Sequence, residues 1–258
     1  MDISELEQKV KELEKIALRA EKMAQTARDV QEIQNVMSRH SFLDAQGKNR
    51  EQVMEIFSQT MPDVCCIFHN TTIYRGLENI IHYYCDNWEN KFRPRMLERI
   101  TKLFPEIPKT KENELVGYMK MHTNCTPYII VAGDGKTAKG TWESPGFVTV
   151  PGDGKIEAMW MWERFAVDFI KENGKWKIWH FVAMIQFATP YEKNWVQSAM
   201  EPRVMKMDDS AESEPEPPVP VIVNRTYSPK ELCGPLTPNF PPQPVPYESF
   251  DETFSYGQ

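Results

Sequence analysis

The amino-acid sequence predicts an α+β fold in which helices come first and an antiparallel sheet follows. Helical spacing of apolar residues dominates the chain up to about residue 92, whereas strand-like alternation dominates from Leu115 onward. Three glycine-containing segments, "GDGK", "PGDGK" and "ENGK", separate the later strand segments and are typical of tight hairpin turns. Long consecutive strands joined by such turns form an antiparallel sheet, and helices placed ahead of them give the α+β class.

Residues 1–29 predict an N-terminal helical arm. Apolar residues recur there at alternating steps of three and four, with Glu and Lys between them: Ile3, Leu6, Val10, Leu13, Ala17, Ala20, Ala24 and Ala27. The stripe restarts at Val30, where the main domain (residues 30–200) begins, and Gly47 is expected to end the helix. Two alternatives stay open for the arm, since it could fold back on its own domain or associate with another copy.

The remaining elements follow from local patterns. The segment "NREQVMEIF" predicts a short helix capped by Asn49, "PDVCCIFHNTTIYRG" predicts two strands around a turn, and "LENIIHYYCDNWENKF" predicts another amphipathic helix. Four longer segments predict strands: "ELVGYMKMHTNCTPYIIVA", "KTAKGTWESPGFVTV", "IEAMWMWERFAVDFI" and "KWKIWHFVAMIQF".

Residues 201–258 are rich in proline, which favours an extended conformation over helix or central strand. This tail carries more aromatic anchors than a free linker needs: Tyr227, Phe240, Tyr247, Phe250, Phe254 and Tyr256. We therefore expect an extended C-terminal arm that lies on this protomer or on a neighbour.

Composition limits the possible partners and surroundings of the protein. The 258 residues carry a formal charge of -7 with a pI near 5.4, which argues against nucleic acid or an anionic membrane as the main partner. There is no apolar run of membrane-spanning length, so a cytoplasmic protein is expected. The five cysteines, an odd number with Cys65 and Cys66 adjacent, predict reduced thiols packed as small apolar side chains.

The hairpin from Ile156 to Phe187 is apolar on both faces, yet it contains charged residues. With a period of two, one face of its first strand holds Trp160, Trp162, Arg164 and Asp168, and the other holds Met159, Met161, Phe165, Val167 and Phe169. On its second strand Ile178, His180, Val182 and Met184 are expected to share a face. We predict that helices cover one face of the sheet and that a partner subunit or the tail covers the other.

Residues 30–195 resemble the nuclear transport factor 2-like superfamily and, within it, the SnoaL-like group related to scytalone dehydratase and the bile acid dehydratases. The resemblance rests on "EIQNVMSRHSFLDAQGKNREQVMEIF", "IYRGLENIIHYY" and the hairpin "VDFIKENGKWKIWHF". It implies a cone-shaped, curved antiparallel sheet packed on the N-terminal helices around an apolar pocket. It also implies that polar side chains from the first helix and the middle strands project into that pocket.

The catalytic candidates are His122, His40 and Asp44. His122 lies on a predicted middle strand, where the resemblance implies a general base, and imidazole suits proton transfer near neutral pH. His40 and Asp44 are four residues apart and so share one helix face, where the carboxylate could orient the imidazole. The resemblance implies a tyrosine near this position, and the chain has His40 instead. Structural roles for these histidines are the competing interpretation.

Seven further residues are candidates for substrate binding: Tyr118, Trp142, Trp160, Trp162, Arg164, Asp168 and His180. Tyr118 could donate a phenolic hydrogen bond, Trp142 could form a pocket wall, and Arg164 could bind a carboxylate or stack on an indole. Asp168 and His180 lie on neighbouring strands and could pair. We expect no metal and no cofactor, because paired metal-ligand spacings, a phosphate-binding loop and a serine-nucleophile elbow are absent from the sequence.

These observations favour a cofactor-independent lyase or isomerase of the dehydratase type acting on a hydrophobic, cyclic hydroxy or keto compound. His122 would move the proton, with help from His40 and Asp44 and from Tyr118 on the enolate. The alternatives are a non-catalytic ligand-binding or assembly module of the same fold and a small-molecule hydrolase. The expected partners are a hydrophobic small molecule and further copies of the chain, as a dimer or a trimer.

Overall fold

A computed structural model describes residues 2–68, 72–200 and 241–258 of the protein. It has the predicted α+β architecture, with helices followed by a curved seven-stranded sheet among these residues. The helices are α1 (Ile3–Ala45), α2 (Asn49–Ile56), α3 (Leu77–Ile81), α4 (Arg93–Leu103) and α5 (Trp195–Met200). The strands are β1 (Cys65–Phe68), β2 (Thr72–Arg75), β3 (Met119–His122), β4 (Cys125–Val131), β5 (Thr137–Pro151), β6 (Ile156–Glu172) and β7 (Lys175–Pro190).

Helix α1 is continuous through the arm and into the domain. A capping box formed by Asp2 and Glu5 fixes its first turn, and Gly47, with φ of +66°, follows its end as predicted. Every residue from 2 to 28 is exposed, so the alternative in which the arm folds back on its own domain is wrong. The domain begins at the buried Asp29, whose carboxylate accepts hydrogen bonds from Lys171 (2.5 Å) and the Trp176 indole (2.9 Å).

The predicted helix after β2 is longer than its sequence pattern indicated. It runs from α3 through two π-helical segments, His82–Asp86 and Trp88–Phe92, into α4. Asn49 was predicted to cap α2, which is wrong, because Lys48 precedes the helix and Asn49 is its first residue. The Asn49 amide instead donates a buried hydrogen bond of 2.8 Å to the carbonyl of Tyr84 and so ties α2 to the π-helical segment.

The sheet has the order β2-β1-β7-β6-β5-β3, and β4 also pairs with β5. Only the β1–β7 pair is parallel among the paired strands of the described residues. The sequence predicted one long strand from residue 114 to 132, but this segment is divided. Thr123 and Asn124 leave the sheet, and Thr126 has φ of +48°, so β3 and β4 follow one another along the same edge of β5.

The long hairpin β6–β7 turns at Asn173 and Gly174, whose positive φ values of 50° and 76° suit the predicted two-residue turn. Two irregularities in its register change which residues share a face. Ile178 pairs with Phe169, whereas His180 pairs with Asp168, so the prediction that Ile178 and His180 share a face is wrong. A β-bulge at Trp179 separates them, and simple alternation cannot reveal a bulge.

The two faces of the sheet are covered differently. The inner face, which packs against α1, α2 and the π-helical segments, contains the main hydrophobic core, as predicted. The outer face is covered at one end by residues 241–258, including the buried Tyr256. At its other end Trp160 (48% exposed), Trp162 (38%) and Tyr191 (65%) lie open to solvent.

The C-terminal tail prediction is testable only in part. Residues 201–240, which include Tyr227 and Phe240, lie outside the described part of the chain. Residues 241–258 lie against their own sheet in a largely extended course with one short 3-10 turn at Phe250–Glu252. The Tyr247 hydroxyl is 3.2 Å from the hydroxyl of Thr137, and the Phe250 ring packs on Trp179.

The cysteines follow the prediction with one exception. Cys65, Cys66 and Cys85 are free and buried, and burial raises the pKa of the Cys65 thiol to about 12, which makes it unreactive near neutral pH. Cys125 is free but exposed at the start of β4. Cys233 lies outside the described residues.

Candidate active site

Five titratable side chains from three elements meet on the inner face of the sheet. This inner cluster consists of His40 and Asp44 from α1, Lys120 and His122 from β3, and Glu163 from β6. Four of the five are buried or nearly so. His40, Asp44 and Glu163 are each less than 9% exposed as whole residues, and the His122 side chain is 12% exposed. Buried charge at this density requires pairing, and it is typical of functional sites.

Local periodicity explains how these elements present their side chains. The spacing of four residues places His40 and Asp44 on the same face of α1, and the spacing of two places Lys120 and His122 on the same face of β3. Opposite His122 on β5 stands Gly146, where a Cβ atom would lie 2.8 Å from Nδ1 of the imidazole and 2.4 Å from the Met121 carbonyl oxygen. Glycine at this position therefore leaves the space that the His122 ring occupies.

His122 and Glu163 form the first pair of the inner cluster. The imidazole Nδ1 lies 3.2 Å from Oε2 of the carboxylate, and the two side chains are 12% and 9% exposed. Burial lowers the pKa of His122, but the nearby charge of Glu163 outweighs burial and raises the pKa above its ordinary value. A carboxylate at Nδ1 favours the tautomer with the proton on Nδ1, which leaves the Nε2 lone pair available as a base.

Asp44 and Lys120 form the second pair, with 2.6 Å between Oδ1 and the ammonium nitrogen. Burial alone would raise the pKa of Asp44, but the Lys120 charge lowers it below the ordinary value. Burial likewise lowers the pKa of Lys120, and the Asp44 charge reverses that effect and raises it. Both groups are therefore charged at neutral pH, and Lys120 is a fixed cation inside the cluster.

His40 lies between the two pairs and is uncharged. Burial is the largest influence and lowers its pKa to about 4, so the imidazole is neutral near pH 7. Its ring packs against Phe181, with centroids 4.8 Å apart, and more distantly against Phe165. Neither ring nitrogen has a hydrogen-bond partner among the described residues, so the ring can donate one hydrogen bond and accept another.

Further polar groups surround the cluster. The Asn124 amide donates to the Met37 carbonyl (2.8 Å) and to the Ser41 hydroxyl (2.6 Å), which holds the break between β3 and β4 against α1. The Ser144 hydroxyl is fully buried on β5 opposite Glu163 and has no hydrogen-bond partner among the residues that the structure describes.

The structure brings some of the predicted binding residues close to the inner cluster. Tyr118 precedes β3 and packs edge-on against Trp88 and Phe92, and burial raises the pKa of its phenol. Trp142 lies on the inner face of β5 but is buried in the core against Phe169. Tyr118 therefore borders the cluster, whereas Trp142 supports the wall behind it.

Three other predicted binding residues lie on the outer face, away from His122. The Arg164 guanidinium pairs with Glu143, which also accepts hydrogen bonds from the Trp162 indole (3.0 Å) and the Gln186 amide (2.9 Å). Trp160 stacks on Tyr191 at 6.0 Å. The structure does not bring Trp160, Trp162 or Arg164 together with the inner cluster.

Asp168 and His180 pair as the sequence suggested, but also on the outer face. The Asp168 carboxylate accepts from Nδ1 of His180 at 2.8 Å and from the fully buried Lys139 ammonium at 2.6 Å. We call these three residues the outer cluster. Ser255 and the Tyr256 backbone amide bind the same carboxylate, and the rings of Phe250, Phe254 and Tyr256 lie within about 5 Å of the Lys139 ammonium. The outer cluster therefore anchors the C-terminal segment.

Sequence reasoning missed Lys120 and Glu163. Lys120 was recognisable as the charged neighbour of His122 two residues away on the same strand face. Glu163 was recognisable as the acidic residue between Met161 and Phe165, inside the apolar run that one face of β6 carries from position 159 to 169. A lone carboxylate on a buried apolar face needs a partner, which in this structure is His122.

Across residues 2–68, 72–200 and 241–258, no group of three or more His, Cys, Asp or Glu side chains is arranged to hold a metal ion. In the same described part of the chain, the helices lack the length and apolar character that crossing a bilayer requires.

The described residues thus form a curved, mostly antiparallel sheet that N-terminal helices close on one face, with a cluster of five titratable groups on that face. The family model for the SnoaL-like domain matches residues 25–182. Because this match covers more than half of the chain, the protein belongs to the SnoaL-like domain family.

Several solved structures resemble this chain in fold. A protein provisionally described as a scytalone dehydratase from Novosphingobium aromaticivorans DSM 12444 is 11% identical, with a TM-score of 0.48, and the alignment covers 67% of this chain and 94% of that one. The hexachlorocyclohexane dehydrochlorinase LinA-type3 from Novosphingobium barchaimii LL02 is 12% identical, with a TM-score of 0.44 and coverage of 71% and 96%.

A nuclear transport factor 2-like superfamily protein from Salmonella enterica serovar Typhimurium LT2 is 15% identical, with a TM-score of 0.45 and coverage of 62% and 92%. At these identities the similarity concerns the fold alone. The search of curated proteins found no match.

Proposed function

We propose that the protein is a lyase or isomerase of the dehydratase type that acts on a hydrophobic, cyclic hydroxy or keto compound without a cofactor. The observation that carries the proposal is the His122–Glu163 pair, a buried imidazole held by a carboxylate at 3.2 Å within a cluster of five titratable groups. This arrangement provides a base of raised pKa beside a fixed cation, which is what proton abstraction next to a carbonyl requires.

In the first step, Nε2 of His122 removes a proton from the carbon next to the substrate carbonyl. The electron pair of the broken C–H bond moves onto the carbonyl oxygen and forms an enolate. The imidazolium that results is stabilised by Glu163, whose carboxylate lies against the opposite ring nitrogen. Glu163 thus strengthens the base and orients it, without itself exchanging the proton.

Lys120 supplies positive charge for the enolate oxygen. Its ammonium group is protonated at neutral pH because Asp44 raises its pKa, and only 21% of its side chain is exposed, so its field is weakly screened. Tyr118, the residue suggested by the sequence for this role, lies two residues earlier and can donate a phenolic hydrogen bond to the same oxygen. The neutral His40 offers a further hydrogen bond without adding charge.

The fate of the enolate decides the outcome. If a hydroxyl group lies on the β-carbon, the enolate electron pair expels it, and the leaving oxygen takes the proton from the His122 imidazolium and departs as water. If the enolate is conjugated with a double bond instead, His122 returns the proton to a different carbon and the product is an isomer. Both outcomes leave His122 neutral for the next turnover, and neither needs a redox partner.

The surroundings of the inner cluster favour a hydrophobic substrate. Phe165 and Phe181 flank His40, and Met161 and Val148 continue the inner face of the sheet beyond Glu163 and Lys120. Aromatic and aliphatic side chains bind ring systems through burial of apolar area, while the few polar groups set the orientation.

Mass spectrometry of a panel of hydroxylated steroids, aromatic polyketides and cyclohexenones incubated with the full chain tests this proposal. We expect at least one product that is one water lighter than its substrate, or an isomer of equal mass, and its loss in His122→Asn. His82→Asn is the matched control, because His82 is half-exposed on the π-helical segment beside Asp86 and outside the inner cluster. Equal conversion by parent and His122→Asn would contradict the assignment of the base.

A non-catalytic binding module is the second candidate. It is favoured by the direct contact of Lys120 with Asp44, since two groups that satisfy one another can shape a binding pocket without taking part in chemistry. Tight binding of a panel compound that stays chemically unchanged would support this candidate over the lyase or isomerase. A small-molecule hydrolase would instead give a product heavier by one water or two fragments.

A further inference from the structure

No other described segment of the chain packs against residues 2–28, the N-terminal part of α1. All residues from 2 to 28 are exposed, including large apolar side chains such as Ile3 (78%), Leu13 (64%) and Ile16 (63%). In proteins most of the stability of a helix comes from packing of an amphipathic face rather than from propensity. The helix carries such a face along its whole exposed part.

Eight apolar residues fit a heptad repeat over four heptads, and Ile16 and Met23 lie beside this stripe at position g. With Ile3 at position a, the a positions are Ile3, Val10, Ala17 and Ala24, and the d positions are Leu6, Leu13, Ala20 and Ala27. The spacing of 3.5 residues keeps this stripe on one side of a gently supercoiled helix, so that two such helices can pack along their full exposed length.

We propose that residues 3–27 form a parallel two-stranded coiled coil with a second copy of this chain. The residue types at the core positions favour two strands, because β-branched Ile3 and Val10 occupy a while Leu6 and Leu13 occupy d. The later a and d positions are alanines, whose small side chains let the two helices pack closely at the end of the arm that is nearest the domains.

Charge complementarity selects the parallel orientation. In a parallel pair, position g of one helix faces position e of the next heptad on the partner helix. Lys9 therefore lies opposite Glu14 of the second copy, and symmetry gives the same pair a second time. In an antiparallel pair the e positions face one another, and these are Glu7, Glu14 and Glu21. An antiparallel pair would therefore bring glutamates together along its length.

The proposed coiled coil ends where the domain begins. Residues 3–27 span about 38 Å at 1.5 Å per residue, and both domains would begin at the same end of the coiled coil, at Asp29. Asp29 fixes that end rigidly through Lys171 and Trp176, so the helix leaves each domain in a defined direction.

Cysteine cross-linking tests the orientation directly. Facing a positions of a parallel pair lie in one layer, within the distance of about 7 Å between Cα atoms that a disulfide tolerates. Val10→Cys should therefore give a disulfide-linked dimer of twice the 30.1 kDa chain mass under mild oxidation. Gln8→Cys, which lies at the outward f position, is the matched control, and the parent chain measures the background from the exposed Cys125.

The outcomes separate the alternatives. Rapid linking of Val10→Cys with at least tenfold slower linking of Gln8→Cys supports the proposal. The proposal is overturned if Val10→Cys and Gln8→Cys both form disulfide-linked dimers no faster than the parent chain. It is also overturned, in favour of an antiparallel pair, if disulfides form only between Ile3→Cys and Ala27→Cys chains in a mixture. A sedimentation mass of three chains for the parent protein overturns the two-stranded form.

A second comparison guards against a variant that fails to fold. Leu13→Asp at position d should weaken self-association at least tenfold in sedimentation equilibrium, while Leu18→Asp at the exposed b position should not. Because neither residue contacts the domain, both variants should keep the circular dichroism of the sheet and its melting temperature. Unchanged association of Leu13→Asp relative to Leu18→Asp would contradict the proposal.

Discussion

Replacing Glu163 by glutamine probes the pair on which the proposed chemistry depends. The substitution keeps the shape of the side chain and removes its charge. In the parent protein Oε2 lies 3.2 Å from Nδ1 of His122, and the imidazole is only 12% exposed, so water can replace little of the lost interaction. A buried imidazole–carboxylate contact of this length is comparable in strength to a hydrogen bond to a charged group, about 1.5–3 kcal/mol, and each 1.36 kcal/mol changes a rate tenfold. We therefore expect kcat/KM to fall by about tenfold to about 150-fold.

The same substitution should change the pH dependence of activity and of stability. Glu163 raises the pKa of His122, so Glu163→Gln should lower that pKa and move the acidic limb of the kcat/KM profile to lower pH. A raised pKa in the folded state adds stability that is fully present below the unfolded histidine pKa of about 6.5 and is lost as pH rises through the folded value. The difference in stability between parent and variant should therefore be larger at pH 6 than at pH 9.

NMR titration of the His122 imidazole measures the change in pKa without needing a substrate. The parent and Glu163→Gln should be compared under one set of conditions, with His82→Asn as a matched control variant outside the inner cluster. If Glu163→Gln left the His122 titration and the rate unchanged, the reasoning from the 3.2 Å contact would be refuted.

Three further predictions concern stability. Between pH 6.5 and 4 the parent should lose about 1.4 kcal/mol of folding free energy per pH unit, because the unfolded chain binds a proton that the buried His40 imidazole, with a pKa of about 4, does not. His40→Phe removes the imidazole and should abolish this loss. Urea unfolding at pH 7 and pH 4.5 measures this. Asp29→Ala should lower the unfolding free energy by about 1–3 kcal/mol, because the buried Trp176 indole loses its acceptor. Tyr256→Ala should speed the proteolysis of the C-terminal segment several-fold, because it removes the one buried ring that holds this segment beside Asp168.

Each of these predictions has a contrary result. Equal pH dependence of His40→Phe and the parent would show that His40 does not carry the low pKa. Asp29→Asn, which keeps a side-chain oxygen, should be milder than Asp29→Ala, and equal losses would contradict the hydrogen-bond argument. Unchanged proteolysis of Tyr256→Ala would mean that other contacts hold residues 241–258.

The order of elements was predictable because short-range rules determine it. The heptad spacing, the glycine at position 47 and the turn at Asn173 and Gly174 each have one favourable local structure. The division of the segment from 114 to 132 was not predictable in this way. Its break depends on the Asn124 amide reaching α1, a contact between residues 83 and 87 positions apart in sequence.

The candidate site was predictable only in outline. His40 and Asp44 could be selected from helix spacing and His122 from the resemblance to the SnoaL-like group, and the structure places all three in one cluster. The prediction that His122 lies on a middle strand is wrong, because β3 is at the edge of the sheet. Which face of the sheet is the inner one is decided by helix packing, so Asp168 and His180 could not be separated from His122 by sequence alone. The β-bulge at Trp179 added to this difficulty, because one extra residue exchanges the faces of all residues beyond it.

Exchange of substrate protons in D2O tests the central claim most directly. The carbon-bound proton next to the carbonyl of a cyclic ketone should exchange for deuterium in the presence of the parent protein, and NMR follows this even where no net product forms. His122→Asn should slow the enzyme-dependent exchange by about 100-fold or more, because positioned general bases contribute rate factors of that order, while His82→Asn should leave it unchanged. Exchange at the parent rate in His122→Asn would contradict the claim that this imidazole, held by Glu163, is the base.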